Sequence, residues 1–305
     1  MTAEKASSDC IPVTAAEGLI RLHKGSNMDI KFIKEHGRGM AFHRNGDVLW
    51  LSFPALDQEE WLLNAFSTRF GGVSTGHLAS MNLSFAQEKE GRANVLENFR
   101  RFAAAAGFRP EDIVCSDQTH TTNVDVVTRR DRGRGIVRDK DRTDIDGMIT
   151  NEPGVVLATF YADCVPLFFA DPVHRCIGLS HSGWRGTADR MAAVTIEAMR
   201  REFGTDPKDL YAAIGPCICQ DCYEVDYEVA RRFPSAYVRP ENGGKYRLDL
   251  AGVNRGIMAE SGIPTDHISM PGLCTCCNPD LLFSHRASKG RRGNLGAFLM
   301  IREKA

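Results

Sequence analysis

Short apolar runs alternate with longer amphipathic stretches along most of the chain. Runs rich in β-branched and aromatic residues predict strands at 48–53, 113–115, 124–127, 155–160, 165–170, 176–180, 210–214 and 297–301. Stretches with apolar residues on one side predict helices at 93–106, 187–203, 225–233 and 248–261. Because strands and helices intermix, we expect an α/β or α+β domain with layered mixed β-sheets flanked by helices.

The chain contains no fixed-period repeat, heptad run or long low-complexity linker. The strand-like run that begins at Met28 follows a polar stretch. We therefore expect residues 1–27 to form an N-terminal extension that need not be ordered, and residues 28–305 to form a single compact domain.

Composition narrows the class of ligand. The chain has 305 residues, 43% of them apolar, and its formal net charge is −1. A core of ordinary size is therefore expected, and the charge balance favours neither nucleic acid nor a membrane as a partner. The ligand should be a small molecule, and the sequence carries no indication of the oligomeric state.

The compartment follows from two further features. The N-terminus lacks the basic start and apolar core of a secretory signal, and no run approaches the roughly 20 apolar residues of a membrane span. Ten cysteines in such a chain indicate reduced thiols or metal ligands rather than disulfides. We expect a cytoplasmic protein.

One stretch is strongly basic. Residues 129–142, RRDRGRGIVRDKDR, mix both signs of charge with two glycines and are most simply a solvated loop. Phosphate binding or a lid function for this stretch is the alternative.

Two predicted neighbouring strands each place a metal-ligand residue near one end. Cys164 precedes the run at 165–170, and His181 follows the run at 176–180. The Ala-Asp-Pro turn at 170–172 makes an antiparallel return plausible, so both side chains could reach one point. His120 is a third candidate, because Gln118 and His120 have the spacing of side chains on one face of a strand.

A thiolate and two imidazoles form a competent ligand set for a transition metal. Three protein ligands with the fourth position left to water or substrate are typical of catalytic zinc sites. The alternative is structural: a histidine near a strand end is usually hydrogen-bonded, and a buried cysteine usually acts as a small apolar residue.

Two arginines lie beside glycine turns. Arg185 belongs to Ser-Gly-Trp-Arg-Gly at 182–186, directly after His181, and such a turn could bring backbone N–H groups and a guanidinium toward an anion. Arg69 lies at the edge of the Gly-Gly turn at 71–72. The alternatives are an ordinary strand-to-helix turn and a surface arginine.

Two Cys-x-x-Cys pairs occur in the second half of the chain, at Cys219/Cys222 and at Cys274/Cys277. They could form a structural Cys₄ zinc site, but the 51 residues between them exceed the usual zinc-ribbon spacing. Reduced, partly buried thiols are the simpler interpretation.

Six separated motifs occur in the order found in one bacterial family. They are STRFGGVSTG, QTH, ADCVPL, HSGWRG, IGPCI with CYEV, and CTCCNPDLLFSHR. On these motifs the chain, from about Met28 to its C-terminus, resembles the YfiH-type family, whose members are known as polyphenol oxidase or laccase-domain proteins.

The resemblance implies a zinc-dependent purine nucleoside phosphorylase, which converts adenosine, inosine and methylthioadenosine to base and sugar 1-phosphate, with an adenosine deaminase activity. It places the family's metal ligands at His120, Cys164 and His181 and its motif arginine at Arg69. In such an enzyme Arg69 and Arg185 could bind the anion, and Asp163 could act as acid or base. The expected partners are purine nucleosides and phosphate.

Two other functions are weighed against this one. Copper is an alternative to zinc because two histidines and a cysteine also form blue-copper sites, yet a laccase needs many paired histidines and this chain has no His-x-His. A cysteine hydrolase, with Cys164 as nucleophile and His181 as base, would need an orienting third group.

Overall fold

The structure is a computed structural model that describes residue 31, residues 39–85 and 90–303, and the backbone of three short strands nearer the N-terminus. The strands are β1 (Asp9–Ile11), β2 (Leu19–His23), β3 (Ser26–Asp29), β4 (Ala41–Asn45), β5 (Val48–Ser52), β6 (Leu62–Ser67), β7 (Ile113–Cys115), β8 (Val124–Val126), β9 (Gly147–Thr150), β10 (Val156–Tyr161), β11 (Val165–Asp171), β12 (Cys176–Ser182), β13 (Tyr211–Ile214), β14 (Glu224–Asp226), β15 (Val238–Pro240), β16 (Lys245–Leu248), β17 (Ile268–Ser269) and β18 (Leu295–Ile301). The α-helices are α1 (Pro54–Asp57), α2 (Arg92–Ala106), α3 (Trp184–Ala188), α4 (Met191–Phe203), α5 (Tyr227–Ala230) and α6 (Leu250–Glu260).

Two large mixed sheets form the centre of the fold. One has seven strands in the order β1-β4-β5-β6-β18-β10-β7, and the other has six in the order β17-β13-β11-β12-β9-β8. The chain also forms a three-stranded sheet, β14-β16-β15, and a two-stranded hairpin, β2-β3. The predicted class of layered mixed sheets with flanking helices is confirmed.

Side-chain alternation divides the apolar residues between layers. Along β11, Phe168 and Ala170 join the core between the two large sheets, whereas Val165, Leu167 and Phe169 face the opposite way. Helices α4 and α6 cover that outer face, and α2 covers the outer face of the seven-stranded sheet. The result is four layers, with a helix layer on each outer face.

Most predicted elements are present with small shifts at their ends, but two helix predictions need correction. The helix predicted at 187–203 is broken at Arg190, which has a left-handed φ of 61°, so α3 and α4 are separate. The helix predicted at 225–233 is present only as the shorter α5 (Tyr227–Ala230), because Val225 lies in β14 and pairs with Tyr246 of β16.

The N-terminal segment was predicted as an extension over residues 1–27. Strand β1 pairs with β4 and so adds an edge strand to the seven-stranded sheet, and β2 pairs with β3. The other residues of this range lie outside the described residues.

The basic stretch 129–142 is only partly a solvated loop. Arg134 is fully buried, and its guanidinium contacts carboxylates of Asp125 at 2.8 Å and Asp131 at 3.3 Å. A buried cation needs such partners, so this arginine fixes the loop to Asp125 of β8. Within the described ranges, no helix combines the length and apolar character that crossing a membrane requires.

Candidate metal centre

Adjacent strands of the six-stranded sheet bring Cys164 and His181 together. Strands β11 and β12 are antiparallel, with Val165 paired to Ser182 and Pro166 paired to His181. Cys164 immediately precedes β11, so it lies beside the last residues of β12. The antiparallel return predicted from the Ala-Asp-Pro turn is confirmed.

His120 reaches the same point from an irregular segment. Strand β7 ends at Cys115, and His120 lies in a bend with a φ of 68°. The strand spacing assumed for Gln118 and His120 is therefore wrong, although both residues line the same cavity. A left-handed φ is uncommon outside glycine but is more often adopted by histidine, asparagine and aspartate.

The three side chains are close enough to bind one ion. The candidate ligand atoms of His120, Cys164 and His181 all lie within 4.8 Å of one another. The two imidazole rings stand 5.0 Å apart at an angle of 82°. His181 is buried, Cys164 is half-buried and His120 is exposed, so one side of the triad remains open.

The electrostatic setting favours the thiolate. Burial raises the pKa of Cys164, but the charge of His181 and hydrogen bonds from His120 and His181 outweigh it and lower the pKa to about 6. Burial likewise opposes protonation of His181, yet Cys164 and Asp146 raise its pKa to about 9. A metal ion would replace that proton as the positive charge beside the thiolate.

Asp146 orients two of the ligands. This fully buried carboxylate accepts a hydrogen bond from His181 Nδ1 at 2.7 Å. It also accepts from the backbone N–H groups of Thr119 at 3.0 Å and Thr121 at 2.9 Å, on either side of His120. His181 is thus left with Nε2 for the ligand position, the arrangement usual for metal-binding histidines.

Gly183 allows the ligands to meet. A Cβ atom at this position would lie 2.8 Å from His120 Cδ2 and 3.1 Å from Cys164 Sγ. The turn after His181 therefore needs glycine for close approach to the triad. Close approach to the ligands is therefore sufficient to explain the first glycine of the motif 182–186, and no anion bound at the turn is needed for that explanation.

The triad opens into a cavity of about 390 Å³. That volume falls within the roughly 300–1,000 Å³ of small-molecule pockets. Leu83, Phe85 and Phe160 give the cavity apolar walls, and Ser116, Asp117, Lys140, Arg292 and Asn294 are among its polar lining residues.

Arg292 has an unusual environment in this cavity. Its Nε atom is buried and has no hydrogen-bond partner among the described residues, while another guanidinium nitrogen contacts the side chain of Asn294. Burial lowers the pKa of Arg292, and the charges of Cys164 and Asp163 act in the opposite direction. The residue as a whole is half-buried. A buried N–H of a cation that has no acceptor is costly, so this position favours an anionic ligand.

A larger cleft of about 700 Å³ lies elsewhere, lined by residues that include Tyr237, Asp249, Arg255 and Met270. Its walls include neither a triad residue nor any described histidine or cysteine. The candidate metal ligands therefore belong to the smaller cavity.

The structure places Arg69, Asp163 and Arg185 outside the described lining of the triad cavity. Arg69 donates to the carbonyl oxygens of Ala79 at 2.8 Å and Pro279 at 2.6 Å and packs over Phe283. Arg185 is exposed and lies over the Trp184 ring. Their anion-binding roles stay predictions.

Asp163 is buried, with a φ of 92°. Its carboxylate accepts hydrogen bonds from Thr275 Oγ1 and from the backbone N–H of Arg286, each at 2.6 Å. Both oxygens are thus engaged in linking the Cys164 turn to the C-terminal segment. An acid or base role for Asp163 also stays a prediction.

Sequence reasoning missed Asp146 and Arg292. Asp146 occurs in Asp-Ile-Asp-Gly just before β9, where an acidic residue is unremarkable without knowledge of what faces it. Arg292 lies in Ser-Lys-Gly-Arg-Arg-Gly at 288–293, whose composition is that of a solvated loop. Neither position carries a local pattern that predicts burial.

Comparison with known proteins identifies a family and several similar proteins. The family model described as multi-copper polyphenol oxidoreductase laccase matches residues 63–302. Purine nucleoside phosphorylase YlmD of Bacillus subtilis is 38% identical over 250 residues, covering 79% of this chain and 89% of that protein. Adenosine deaminase RL5, from an unknown prokaryotic organism, is 33% identical over 233 residues, covering 73% of this chain and 88% of that protein.

A solved structure shares the fold. The crystal structure of YlmD from Geobacillus stearothermophilus superposes with a TM-score of 0.80 at 35% identity. The match covers 86% of this chain and 99% of the other. The four-layer arrangement described above is therefore that of a known fold.

Replacing Asp146 should weaken metal binding while leaving all three ligands in place. We expect Asp146→Asn to reduce the affinity about 10–100-fold, because the amide cannot accept all three hydrogen bonds from His181, Thr119 and Thr121. Competition with a chromophoric chelator measures the change. Asp139→Asn, at an exposed position that makes no contact with the His120 bend or with His181, is the matched control. Equal affinities for the two variants would contradict the orienting role.

A methyl group at Gly183 should disturb the triad without unfolding the chain. We expect Gly183→Ala to bind less than about a tenth of the wild-type metal at a fixed free concentration, because the new Cβ collides with His120 and Cys164. Gly186→Ala is the control, since its nearest contact would be an ordinary 3.6 Å. Metal content and circular dichroism of both variants test this, and undiminished binding by Gly183→Ala would show that the approach is not limiting.

Proposed function

This chain belongs to the family described as multi-copper polyphenol oxidoreductase laccase, and we propose that it is a zinc-dependent purine nucleoside phosphorylase with an adenosine deaminase activity. Its substrates would be adenosine, inosine and methylthioadenosine together with phosphate. The observation that carries the proposal is the position of the triad at the wall of a cavity that is also lined by a half-buried arginine, Arg292, whose buried Nε has no partner among the described residues. The names of the relatives support it.

The triad residues suit a catalytic zinc ion. His120, Cys164 and His181 would hold it, and the open side toward the cavity leaves the fourth position to water or substrate. Zinc bound there would supply Lewis acidity, polarising an oxygen ligand and lowering the pKa of water. Asp146 and Gly183 serve this site by fixing ring orientation and allowing close approach.

The apolar wall would bind the base. Phe85 and Phe160 both contact Phe99, with ring centroids 5.8 Å and 5.9 Å from it, so the wall is backed by a buried aromatic residue. A planar purine is bound well by such a surface because it offers a large apolar area with defined stacking geometry. Leu83 extends the wall, and Asn294 offers an amide for hydrogen bonds with the base or sugar.

Arg292 would bind the phosphate. A dianion beside the unpartnered Nε would regain the hydrogen bond that burial denies to this guanidinium, and charge-assisted bonds of this kind are the stronger ones. Binding next to Cys164 and His181 would also hold phosphate close to the sugar for attack at its anomeric carbon. Holding the two reactants together in this way would favour formation of the bond from phosphate oxygen to the anomeric carbon as the bond from that carbon to the purine breaks.

Copper oxidation is the function that the family description suggests. The donor set of the triad also suits copper. Among the described residues, however, the only other group of three or more close metal-ligand side chains consists of four cysteines. The described part of the chain thus offers no histidine cluster for the additional coppers of a laccase.

Thiol hydrolysis is a second candidate, favoured by one specific observation. Cys164, His181 and Asp146 stand in the order nucleophile, base and orienting carboxylate, which supplies the third group that Asp163 does not. His120 distinguishes the two functions, because a hydrolase has no need of a second imidazole at the thiolate whereas a metal centre does.

Loss of Cys164 should abolish nucleoside turnover together with metal binding. With wild type we expect adenine and ribose 1-phosphate from adenosine only when phosphate is present, and inosine as a slower product. For Cys164→Ala we expect turnover to fall more than about 100-fold. Loss of a residue that only orients a metal ligand costs up to about 100-fold, and loss of a ligand itself should cost more. Chromatography of the products and metal analysis measure both, with Cys176→Ala as a buried control away from the triad.

Two outcomes would count against this function. Unchanged turnover and metal content in Cys164→Ala would remove the triad from the reaction. Ester hydrolysis by metal-free protein that exceeds nucleoside turnover would favour the thiol hydrolase, and oxygen uptake on a phenol that depends strictly on copper would favour the oxidase.

Arg292 should govern the use of phosphate. We expect Arg292→Gln to raise the KM for phosphate roughly 10–100-fold, the loss of one charge-assisted interaction, while the KM for adenosine changes little. Arg292→Lys should restore part of the effect. Initial rates at varied phosphate test this, with the exposed neighbour variant Arg291→Gln as control. Equal KM values for the two glutamine variants would place phosphate elsewhere.

A further inference from the structure

Four cysteines form a second cluster away from the triad. The sulfur atoms of Cys219, Cys222, Cys274 and Cys277 all lie within 4.8 Å of one another. The long sequence gap between the two Cys-x-x-Cys pairs favoured unconnected thiols, but backbone pairing closes that gap. Cys217 and Cys274 form a parallel bridge, and the N–H of Thr275 donates to the carbonyl of Cys217 at 3.0 Å.

The distances between sulfur atoms suit a shared ion. Tetrahedral bonds of about 2.3 Å to zinc place neighbouring sulfurs roughly 3.8 Å apart. Cys277 Sγ lies 3.9 Å from Cys219 Sγ and 3.4 Å from Cys222 Sγ. A disulfide would require about 2 Å, and all four cysteines are free. In an iron–sulfur cluster the four thiolates are divided between two or more iron atoms, so they do not all stand this close together.

Backbone N–H groups stabilise charge on one sulfur. Those of Cys219 and Cys277 both point to Cys274 Sγ, at 3.2 Å and 3.4 Å. Two N–H groups aimed at one sulfur would stabilise the negative charge that this sulfur carries when it binds a metal ion. Cys274 is buried and the other three cysteines are half-buried. The four thiolates would fill all four positions of a tetrahedral ion.

We propose that Cys219, Cys222, Cys274 and Cys277 bind one tetrahedral, thiophilic divalent ion of the zinc type. With four protein ligands and no open position, the ion has a structural function. It joins the segment after β13 to the segment before β18. This site does not depend on the proposed enzymatic function.

The cluster is connected to the candidate metal centre. Thr275, beside Cys274, donates to the Asp163 carboxylate, and Ile218, beside Cys219, donates its N–H to the Asp163 carbonyl at 3.0 Å. Asp163 directly precedes Cys164. The structural ion would therefore stabilise the turn that presents Cys164 to the triad.

Counting ions in variants of the full chain separates the two sites. In a Cys164→Ala/His181→Ala protein we expect about one tightly bound zinc per chain, since only the Cys₄ site remains. Adding Cys222→Ala/Cys277→Ala should remove that ion, whereas adding Cys276→Ala, in the same loop but outside the cluster, should not. Native mass spectrometry and elemental analysis give the counts, and cobalt substitution should give the intense thiolate-to-metal absorption of a four-thiolate site.

Absence of zinc and of cobalt binding in the Cys164→Ala/His181→Ala protein would overturn the proposal, as would a count unaffected by loss of Cys222 and Cys277. If these variants are insoluble, alkylation of wild type decides the matter. Cys219, Cys222 and Cys277 should be protected until a chelator is added, while Cys276 reacts at once. Alkylation of these four cysteines at the same rate would contradict the proposed Cys₄ site.

Discussion

The buried carboxylate of Asp146 is the constraint on which the candidate metal centre depends. His181 belongs to a rigid strand, whereas His120 belongs to an irregular bend more than 60 residues earlier in the sequence. Asp146 bonds to the ring of one and to the backbone on both sides of the other. A buried charge is tolerated only when its oxygens are satisfied, and here the groups that satisfy it are those that must be positioned. The hydrogen bonds that stabilise the buried charge of Asp146 are thus the same ones that position the two histidines.

Rigid and irregular elements contribute different parts of the site. Neighbouring strands fix Cys164 and His181, because their register can shift only if every side chain changes face. The bend with His120, the Gly183 turn and the segment with Arg292 supply what strands cannot, namely close approach and a cation facing the cavity. This division is common in enzymes, whose functional groups lie on loops held by a packed scaffold.

The sequence was most informative where local pattern and tertiary environment agree. Strands β11 and β12 are buried on both faces and begin with apolar runs, so pattern alone located them, and their antiparallel return followed from the turn. The helix predicted at 225–233 is shortened to α5 because pairing of Val225 with Tyr246 outweighs local preference at its start. The triad was identified by residue type and motif order. Asp146, the Nε of Arg292 and the Cys₄ cluster became evident only with the structure, since each depends on contacts between distant segments.

Asp163 shows how a motif residue can be explained by position rather than by chemistry. It lies directly beside Cys164, which suggests catalysis, yet its left-handed backbone turns the carboxylate toward Thr275 and Arg286. Aspartate tolerates that backbone better than most residues and also accepts both hydrogen bonds. Proton transfer through this carboxylate would break the link between the cysteine turn and the C-terminal segment. The acid or base role of Asp163 stays a prediction, and such a role would require one of these two hydrogen bonds to open during the reaction.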